Sequence, residues 1–479
     1  IALLPLVLYQ CGSVMKSIQK DRLHVPVLLL LIIVLPLFYY KKKLVFIDCI
    51  LSLCILLSQN KKTWIYIPII SMFLTYQANT ADTFLTQDTY KRVYDSSLNS
   101  LIERNANTID RLAVFSNKQI VNQTFHDTIR RASGYTSTYN SLYNSFLYDT
   151  LHMNVASNDR IKNNDENNFF YLSMLSCNTI LPHAYIPLSY KETDTQDTYS
   201  LYQSNNTMPI AYATNDLYSE TDFNKLKFPY TLDTLYNHVI VTKNIHNKDK
   251  SSFQEETPTI TYNDTILDTS KKNISVKKQK EITLQLSNNQ KSKILVITFH
   301  VKNNDAKEPV DITINGQHNH LSPTKAVYYN HNEEFTYTLS SNEDIQKLNV
   351  VLGKGKYTIS DFHFYTLDEK QVLNRNKQVD AFHEEKSTNM LKGTIDVSND
   401  GYFVTTLPYD KDYQVFLDGK KVEYEKVNTA FVGFPIQQGH HTITIQYKAK
   451  FKDIAICMSM SGIILFGFIC IIENQKKRL

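Results

Sequence analysis

The sequence predicts a mixed membrane and soluble architecture, with α-helical transmembrane segments flanking an α/β plus β-sandwich extracellular region. Three observations lead there. Apolar runs gather at the two ends of the 479-residue chain. The middle is polar and, in its second half, alternates apolar with polar residues. Toward the carboxy terminus short strands recur at regular spacing, the pattern of a sandwich. A chain of this length exceeds one compact core, so its ends and middle are read separately.

A membrane-spanning helix needs roughly 20 apolar residues. Ile454 to Ile472 meets that without a charge, and Ile1 to Met15, Val25 to Tyr40, Leu44 to Ser58 and Trp64 to Tyr76 follow one another with short basic or polar turns between them. The early runs therefore read as closely connected helices, the end of a larger bundle over 1–80. Because Ile1 falls inside an apolar run rather than at a Met with a signal-like flank, a longer protein is expected upstream. Lys16, Lys20, Arg22, Lys61, Lys62 and the terminal Lys476, Lys477 and Arg478 favour the cytoplasmic side and put the middle region outside. Lys41 to Lys43 and Lys448, Lys450 and Lys452 vote the other way. Asp48, one turn into its apolar run, is read as pairing with Lys42 and Lys43 at the interface rather than as an intramembrane functional acid.

The formal net charge is only +4 and no broad basic face gathers, which excludes nucleic acid as a partner class. Abundant Asn, Lys, Ile and Tyr beside scarce Gly and Trp reflect an AT-rich coding bias. Cys11, Cys49, Cys54, Cys457 and Cys470 fall in apolar segments, leaving Cys177 alone in the middle and excluding an internal disulfide there. No cysteine and histidine spacing suits zinc, and His440-His441 has no third ligand nearby, so no metal site is expected in this chain.

Along the soluble part, 81–250 reads as a mixed α/β domain, 251–380 as a β-sandwich-like region, 381–450 as a denser sandwich unit, and 451–479 as a membrane helix with a short basic tail. Within the first, Ser96 to Asn105 is a helix, Arg111 to Phe115 a strand, and Tyr135 to Thr150 a helix with Tyr139, Tyr143 and Phe146 on one face. Asp194 to Asn206 reads as a polar connection. Thr259 to Asp264, Glu281 to Leu286, Ile294 to Val301, Val310 to Ile314 and Lys356 to Tyr365 read as strands, and the basic run Lys271 to Lys280 as a solvated hairpin or linker. The last unit carries strands at Gly393 to Val397, Tyr402 to Leu407, Tyr413 to Leu417, Lys421 to Val427, Phe431 to Ile436 and His441 to Tyr447, with Asp418-Gly419 as a hairpin signal.

No nucleophile motif, phosphate-binding glycine loop or HExxH is present. Asp82 and Glu103 are carboxylates near the expected membrane face, yet nothing pairs them, and no residue of this chain is assigned as catalytic. Arg130, Arg131, Tyr135 and Tyr139 form the candidate acceptor-binding surface. Arg forks two oxygens and Tyr offers a ring and a hydroxyl, whereas the competing reading of the aromatic stripe is packing.

The order of the pieces resembles the carboxy-terminal half of the YfhO family of bacterial membrane proteins. The resemblance runs through Asp110-Arg111-Leu112-Ala113-Val114, the Ser137 to Asn144 stretch, Ser200 to Asn205, and Met208-Pro209-Ile210-Ala211-Tyr212. It continues in Tyr409-Asp410-Lys411, Phe416 to Val422, Ala430-Phe431-Val432-Gly433, Gly439-His440 and the final helix. Tyr413 stands where the family usually has Trp, and Lys448-Ala449-Lys450 replaces a proline-containing step. The resemblance implies a membrane-embedded C-type glycosyltransferase whose catalytic acid lies in an outward loop before Ile1. It would transfer a sugar from undecaprenyl phosphate to a cell-envelope polymer such as lipoteichoic acid on the outer face of the bacterial membrane. Any divalent metal would belong to that missing amino-terminal part. The alternatives are a non-catalytic, membrane-anchored envelope-glycan-binding module and a polymer transporter or assembly partner.

Overall fold

The structure is a computed structural model that describes residue 87 and residues 95–476, apart from 116–128, 136–137, 159–161, 164, 183–184, 246–250, 268–269, 271, 288–291, 386 and 388–389. The chain divides into two compact units, Ile1–Tyr94 and Asp95–Leu479. The expected initial membrane helices, Asp48 and Asp82 lie outside the described residues. The described part of the second unit is mostly β-sheet with few helices.

Its first layer is α/β. Asp95 caps the helix Ser96–Asn105 by accepting from the backbone N–H groups of Ser97 and Leu98, both at 3.1 Å. Leu98, Leu101 and Ile102 recur on one helical face and bury against Leu112, Val114, Leu181 and Leu201 of a five-stranded sheet. The strand order is Arg130–Arg131, Arg111–Val114, Thr179–Leu181, Tyr199–Gln203, Lys191–Gln196, the first three parallel and the rest antiparallel. Ala113 and Ile180 face the opposite side, where the helix Phe169–Met174 packs in a second core. Arg104 pins the first helix to the hairpin: its Nε and Nη2 donate to the two oxygens of Asp194 at 2.6 and 2.7 Å. The segment read as a polar connection is thus an ordered hairpin, its outward residues held by the helix.

Residues 254–367 build a first sandwich. One sheet orders Gln254–Glu256, Gly355–Leu367, Ile294–Asn303 and Glu334–Ser340, with Lys272–Val276 also paired to Gly355–Leu367. The other orders Thr265–Ile266, Thr259–Tyr262, Lys280–Ser287, Lys347–Leu352, Val310–Ile314 and Gln317–Leu321. Inward residues of both sheets, among them Phe299, Phe335, Tyr337, Ile312 and Val350, close one core. Tyr337 crosses it to donate its hydroxyl to the carbonyl of Ile312 at 2.8 Å. The basic run read as a solvated hairpin or linker contains the strand Lys272–Val276, whose exposed lysine suits a sheet margin.

The second sandwich pairs a sheet ordered Asp380–Ala381, Ala211–Thr214, Gly401–Pro408, Phe431–Ile436, Glu425–Val427 with one ordered His383–Glu385, Met390–Val397, Gly439–Tyr447, Tyr413–Leu417, Lys420–Val422. Ala211–Thr214 comes from far earlier in the chain than its neighbours. Its alanines fit the tight centre against Phe403 and Phe434. Asp418 and Gly419 take positive φ of 50° and 74°, the turn their pairing as a hairpin signal predicts. The single strand expected over Lys421 to Val427 is two, Lys420–Val422 and Glu425–Val427, in opposite sheets. Tyr424 marks the crossover, its hydroxyl on the carbonyls of Asp410 and Tyr413 at 2.8 and 3.1 Å.

After Tyr447 the backbone stays tied to the sandwich, with the N–H groups of Lys448 and Lys450 donating to the carbonyl and carboxylate of Asp412. The helix Lys452–Lys476 follows, 25 residues long. Ile454, Ile456, Met458, Met460, Ile464, Phe468 and Ile472 are exposed on it. Among the described residues no helix is both long and apolar enough to cross a membrane; the side chains at 463, 465–466, 469–471 and 473–476 of this helix fall outside that description.

Two outcomes follow from these joints. A Cβ on Gly401 would lie 2.2 Å from the carbonyl oxygen of Thr214. Gly401→Ala is therefore expected to cost roughly 1–3 kcal/mol, with hydrogen exchange at 211–214 accelerating before the rest of the sheet. The Arg104 fork, aided by the Asn105 amide, holds the Asp194 carboxyl at about 2, below the ordinary carboxylate value of about 3.9. The folded value is the depressed one, so the contribution of this pair is fully present above the ordinary value and fades as pH falls toward 2. Carboxyl-carbon NMR should give a midpoint that returns to the ordinary range in Arg104→Ala; an unmoved midpoint would assign the depression elsewhere.

Candidate functional site

Ligands of sheets with parallel strands gather beyond the carboxyl ends of those strands, and there the chain places Asp165. Its carboxylate is fully buried. Oδ2 accepts from the N–H of Val114 at 2.8 Å, Ser133 Oγ at 2.7 Å and Arg131 Nη2 at 3.0 Å, while Oδ1 accepts from the Tyr171 hydroxyl at 2.9 Å. Asn168 caps the helix that delivers Tyr171, accepting from the N–H groups of Phe170 and Tyr171. Burial, with the Asp165 charge adding to it, pushes the Tyr171 phenol well above its ordinary range. Tyr171 is therefore the donor at neutral pH. Close by, Tyr143 donates to the carbonyl of Ala132 at 3.0 Å, and burial raises its phenol as well. Arg111 is buried on the neighbouring strand, donating to the carbonyl of Leu175 and, at 3.2 Å, to Thr406 Oγ1. Its charge works against the burial that raises the Cys177 thiol.

Both arginines of the expected acceptor surface are engaged internally. Arg131 belongs to the Asp165 centre. Arg130 forks Glu384 of the second sandwich, Nη1 to Oε2 at 2.8 Å and Nη2 to Oε1, and that partner raises the guanidinium further. Tyr135 to Thr150 is not one helix. Gly134–Tyr135 is a short strand paired with Lys162–Asn163, and the helix begins at Ser141, where Asn140 Oδ1 accepts from the N–H of Tyr143 at 3.0 Å. A wider π-helical turn over Phe146–Thr150 completes it. Tyr139, ahead of the cap, is half exposed, while Tyr143 and Phe146 turn inward onto Phe431 with ring centres 6.2 and 4.7 Å away. The stripe divides into one exposed ring and two packed ones; the Tyr135 side chain lies outside the description.

Glu103 is exposed on its helix. His440 and His441 each meet their own carboxylate, Asp396 at 2.7 Å and Asp418 at 2.8 Å. Two clefts open beside the first sandwich. One, of about 650 Å³, lies between it and the α/β layer, lined by Tyr185, Tyr190, Tyr202 and the segment 339–347. The other, of about 310 Å³, lies between His152 and the segment 331–334. Sequence reasoning singled out neither Asp165 nor Tyr185, since a buried acid and a loop tyrosine carry no periodicity.

A family model described as "Bacterial membrane protein YfhO" matches residues 1–459. The chain belongs to the YfhO family. The "Uncharacterized protein YfhO" of Bacillus subtilis (strain 168) is 22% identical over 300 residues, 60% of this chain and 34% of that protein. The chain thus spans about a third of the length of the curated relative it matches. Among solved structures, dimeric latent PorU from Porphyromonas gingivalis is similar over 55% of this chain and 27% of that one, with 10% identity and a TM-score of 0.16, too slight a likeness to carry an argument. Membership of the YfhO family makes this a membrane-associated bacterial protein with a β-rich domain.

The Asp165 centre makes a direct prediction. Asp165→Asn replaces one acceptor oxygen by a donor facing Arg131, Ser133 or Tyr171, and is expected to destabilise the protein by roughly 3–5 kcal/mol, as when a buried pair loses one partner. In a double-mutant cycle with Arg131→Ala, urea unfolding should give strong coupling; additive effects would mean that the pair is not formed.

Proposed function

We propose that this chain is the carboxy-terminal part of an integral membrane glycosyltransferase that transfers a sugar from undecaprenyl phosphate to a cell-envelope polymer such as lipoteichoic acid. The observation that carries the reading is the final helix. It leaves apolar side chains exposed around its circumference, which suits lipid rather than water. Its 25 residues rise about 37 Å, enough for a hydrocarbon core of about 30 Å. Because the backbone bonds to Asp412 tie its start to the second sandwich, the β-rich region stands close to the bilayer, on the outer face in this reading.

The chemistry of such a transfer needs a carboxylate to activate the acceptor hydroxyl and positive charge to meet the departing lipid phosphate. In this reading those groups lie outside the described residues. The part described supplies a platform that holds the acceptor. Within it, Arg130 and Arg131 act by positioning: one joins the α/β layer to the second sandwich, the other orients the Asp165 loop, and Tyr139 remains as an exposed contact. A second reading, a membrane-anchored module that binds envelope glycans without catalysis, is favoured by the tyrosine-lined cleft.

Deleting the whole reading frame in its host separates the two. Transferase function predicts loss of sugar substituents from the envelope polymer, read by NMR of the extracted polymer, with accumulation of the lipid-linked sugar. Unchanged substitution would overturn it. In a fragment of residues 95–476, removing 452–476 should release the β-rich region from the membrane fraction.

A further inference from the structure

The larger cleft, about 650 Å³, falls within the ~300–1,000 Å³ of small-molecule sites. Its walls are joined by hydrogen bonds: Ser189 N–H to Asn342 Oδ1 at 2.8 Å, Asn342 Nδ2 to the Tyr190 carbonyl at 3.0 Å, and Gln317 Nε2 to the Asn167 carbonyl at 2.7 Å. The cleft is thereby preformed, which lowers the ordering cost of binding.

Three tyrosines line it, and each hydroxyl is already engaged. Tyr185 accepts from Asn349 Nδ2 at 2.7 Å, Tyr202 donates to Glu192 at 2.8 Å, and Tyr190 donates to the Cys177 carbonyl at 2.5 Å. Tyr190 is fully buried beneath the cleft, so the ring surface a ligand meets comes from Tyr185 and Tyr202. Tyr185 is seated on the turn Asn315-Gly316, where a Cβ on the glycine would come within 3.2 Å of the ring. Beside the rings stand amides and carboxylates. The Asn167 side-chain amide makes long contacts, 3.4 Å to Ser340 Oγ and 3.4 Å to the Tyr185 carbonyl, weaker than a well-formed hydrogen bond. Glu343, Asp344 and Gln346 lie along the rim with Lys347. Lys293, a second cation close to these carboxylates, is held by Glu369 at 2.9 Å.

We propose that this cleft binds an uncharged saccharide. Apolar ring faces match the C–H face of a pyranose, and planar amides and carboxylates take its hydroxyls. With Glu343 and Asp344 against the single Lys347, the lining is net negative and disfavours a phosphate-bearing ligand. The inference goes beyond the transferase reading, giving the β-rich region a sugar site of its own; the chemistry of the cleft stands on the residues named.

The test is saturation-transfer NMR on the full chain in detergent, with a panel of uncharged gluco-, galacto- and N-acetylhexosamine oligosaccharides and, separately, polyglycerol phosphate. At least one sugar series should receive saturation on its ring protons. Tyr185→Leu and Glu343→Ala should each weaken that binding by about tenfold, Glu343 being the exposed position whose loss leaves the fold intact. No transfer across the sugar panel overturns the proposal. So does binding unchanged in both variants, or displacement of the sugar by polyglycerol phosphate. Persistent sugar binding alongside unchanged envelope glycosylation in the deletion strain would sink the transferase reading and leave the cleft standing.

Discussion

The Asp165 carboxylate accepts from the end of one strand, from Arg131 and Ser133 after the next, and from Tyr171 on a buried helix. A carboxylate taken out of water is costly unless its lone pairs are met, and these donors meet them from segments far apart in sequence. The loop ends and the helix must all be in place before the charge is satisfied. This condition sets the geometry of the α/β layer, and the layer in turn sets both sandwiches. A single core joins Phe146, Phe169 and Phe170 to Val296 and Leu367 of the first sandwich and to Tyr402 and Phe431 of the second.

Asparagine does much of the joining. Asn154 Nδ2 and Asn319 Nδ2 reach the same carbonyl, that of Thr336, and Asn319 Oδ1 takes the N–H of Val155. Asn428 exchanges bonds with Ile240 through its own N–H and its side chain, as a paired strand residue would. Buried backbone groups at a seam between layers need partners, and a short amide supplies both a donor and an acceptor. Coding bias accounts for how often Asn occurs, while these positions show how the fold uses it.

Where alternation was strong, the fold was readable: Val310–Ile314, Tyr413–Leu417 and Phe431–Ile436 stand where period-two patterning puts them. Asp418-Gly419 was legible for the same local reason. The strand Gln317–Leu321 went unread although Asn315-Gly316, with φ of 46° and 84°, is an equally good hairpin signal. Its buried positions include Gln317 and Asn319, amides bonded to backbone rather than apolar side chains. The arginines misled more deeply. Their carboxylate partners stand 34 and 254 residues away, so a charge settled internally looked free. The Tyr135 to Thr150 helix failed at Asn140, a cap that also reads as an ordinary helix-surface residue.

The placement of Ala211–Thr214 between Asp380–Ala381 and Gly401–Pro408 sets an order of events in biosynthesis. This strand is made early, yet its partners emerge only after the whole first sandwich has been synthesised. Until then it is an apolar edge without a neighbour, the kind of segment that invites wrong pairings. Closure over so long a separation is also slow. Completion of the second sandwich, and with it the fixed start of the final helix, is a terminal step in assembly. A chain stopped short of that point would carry an unfinished sheet, open to recognition by quality-control proteases.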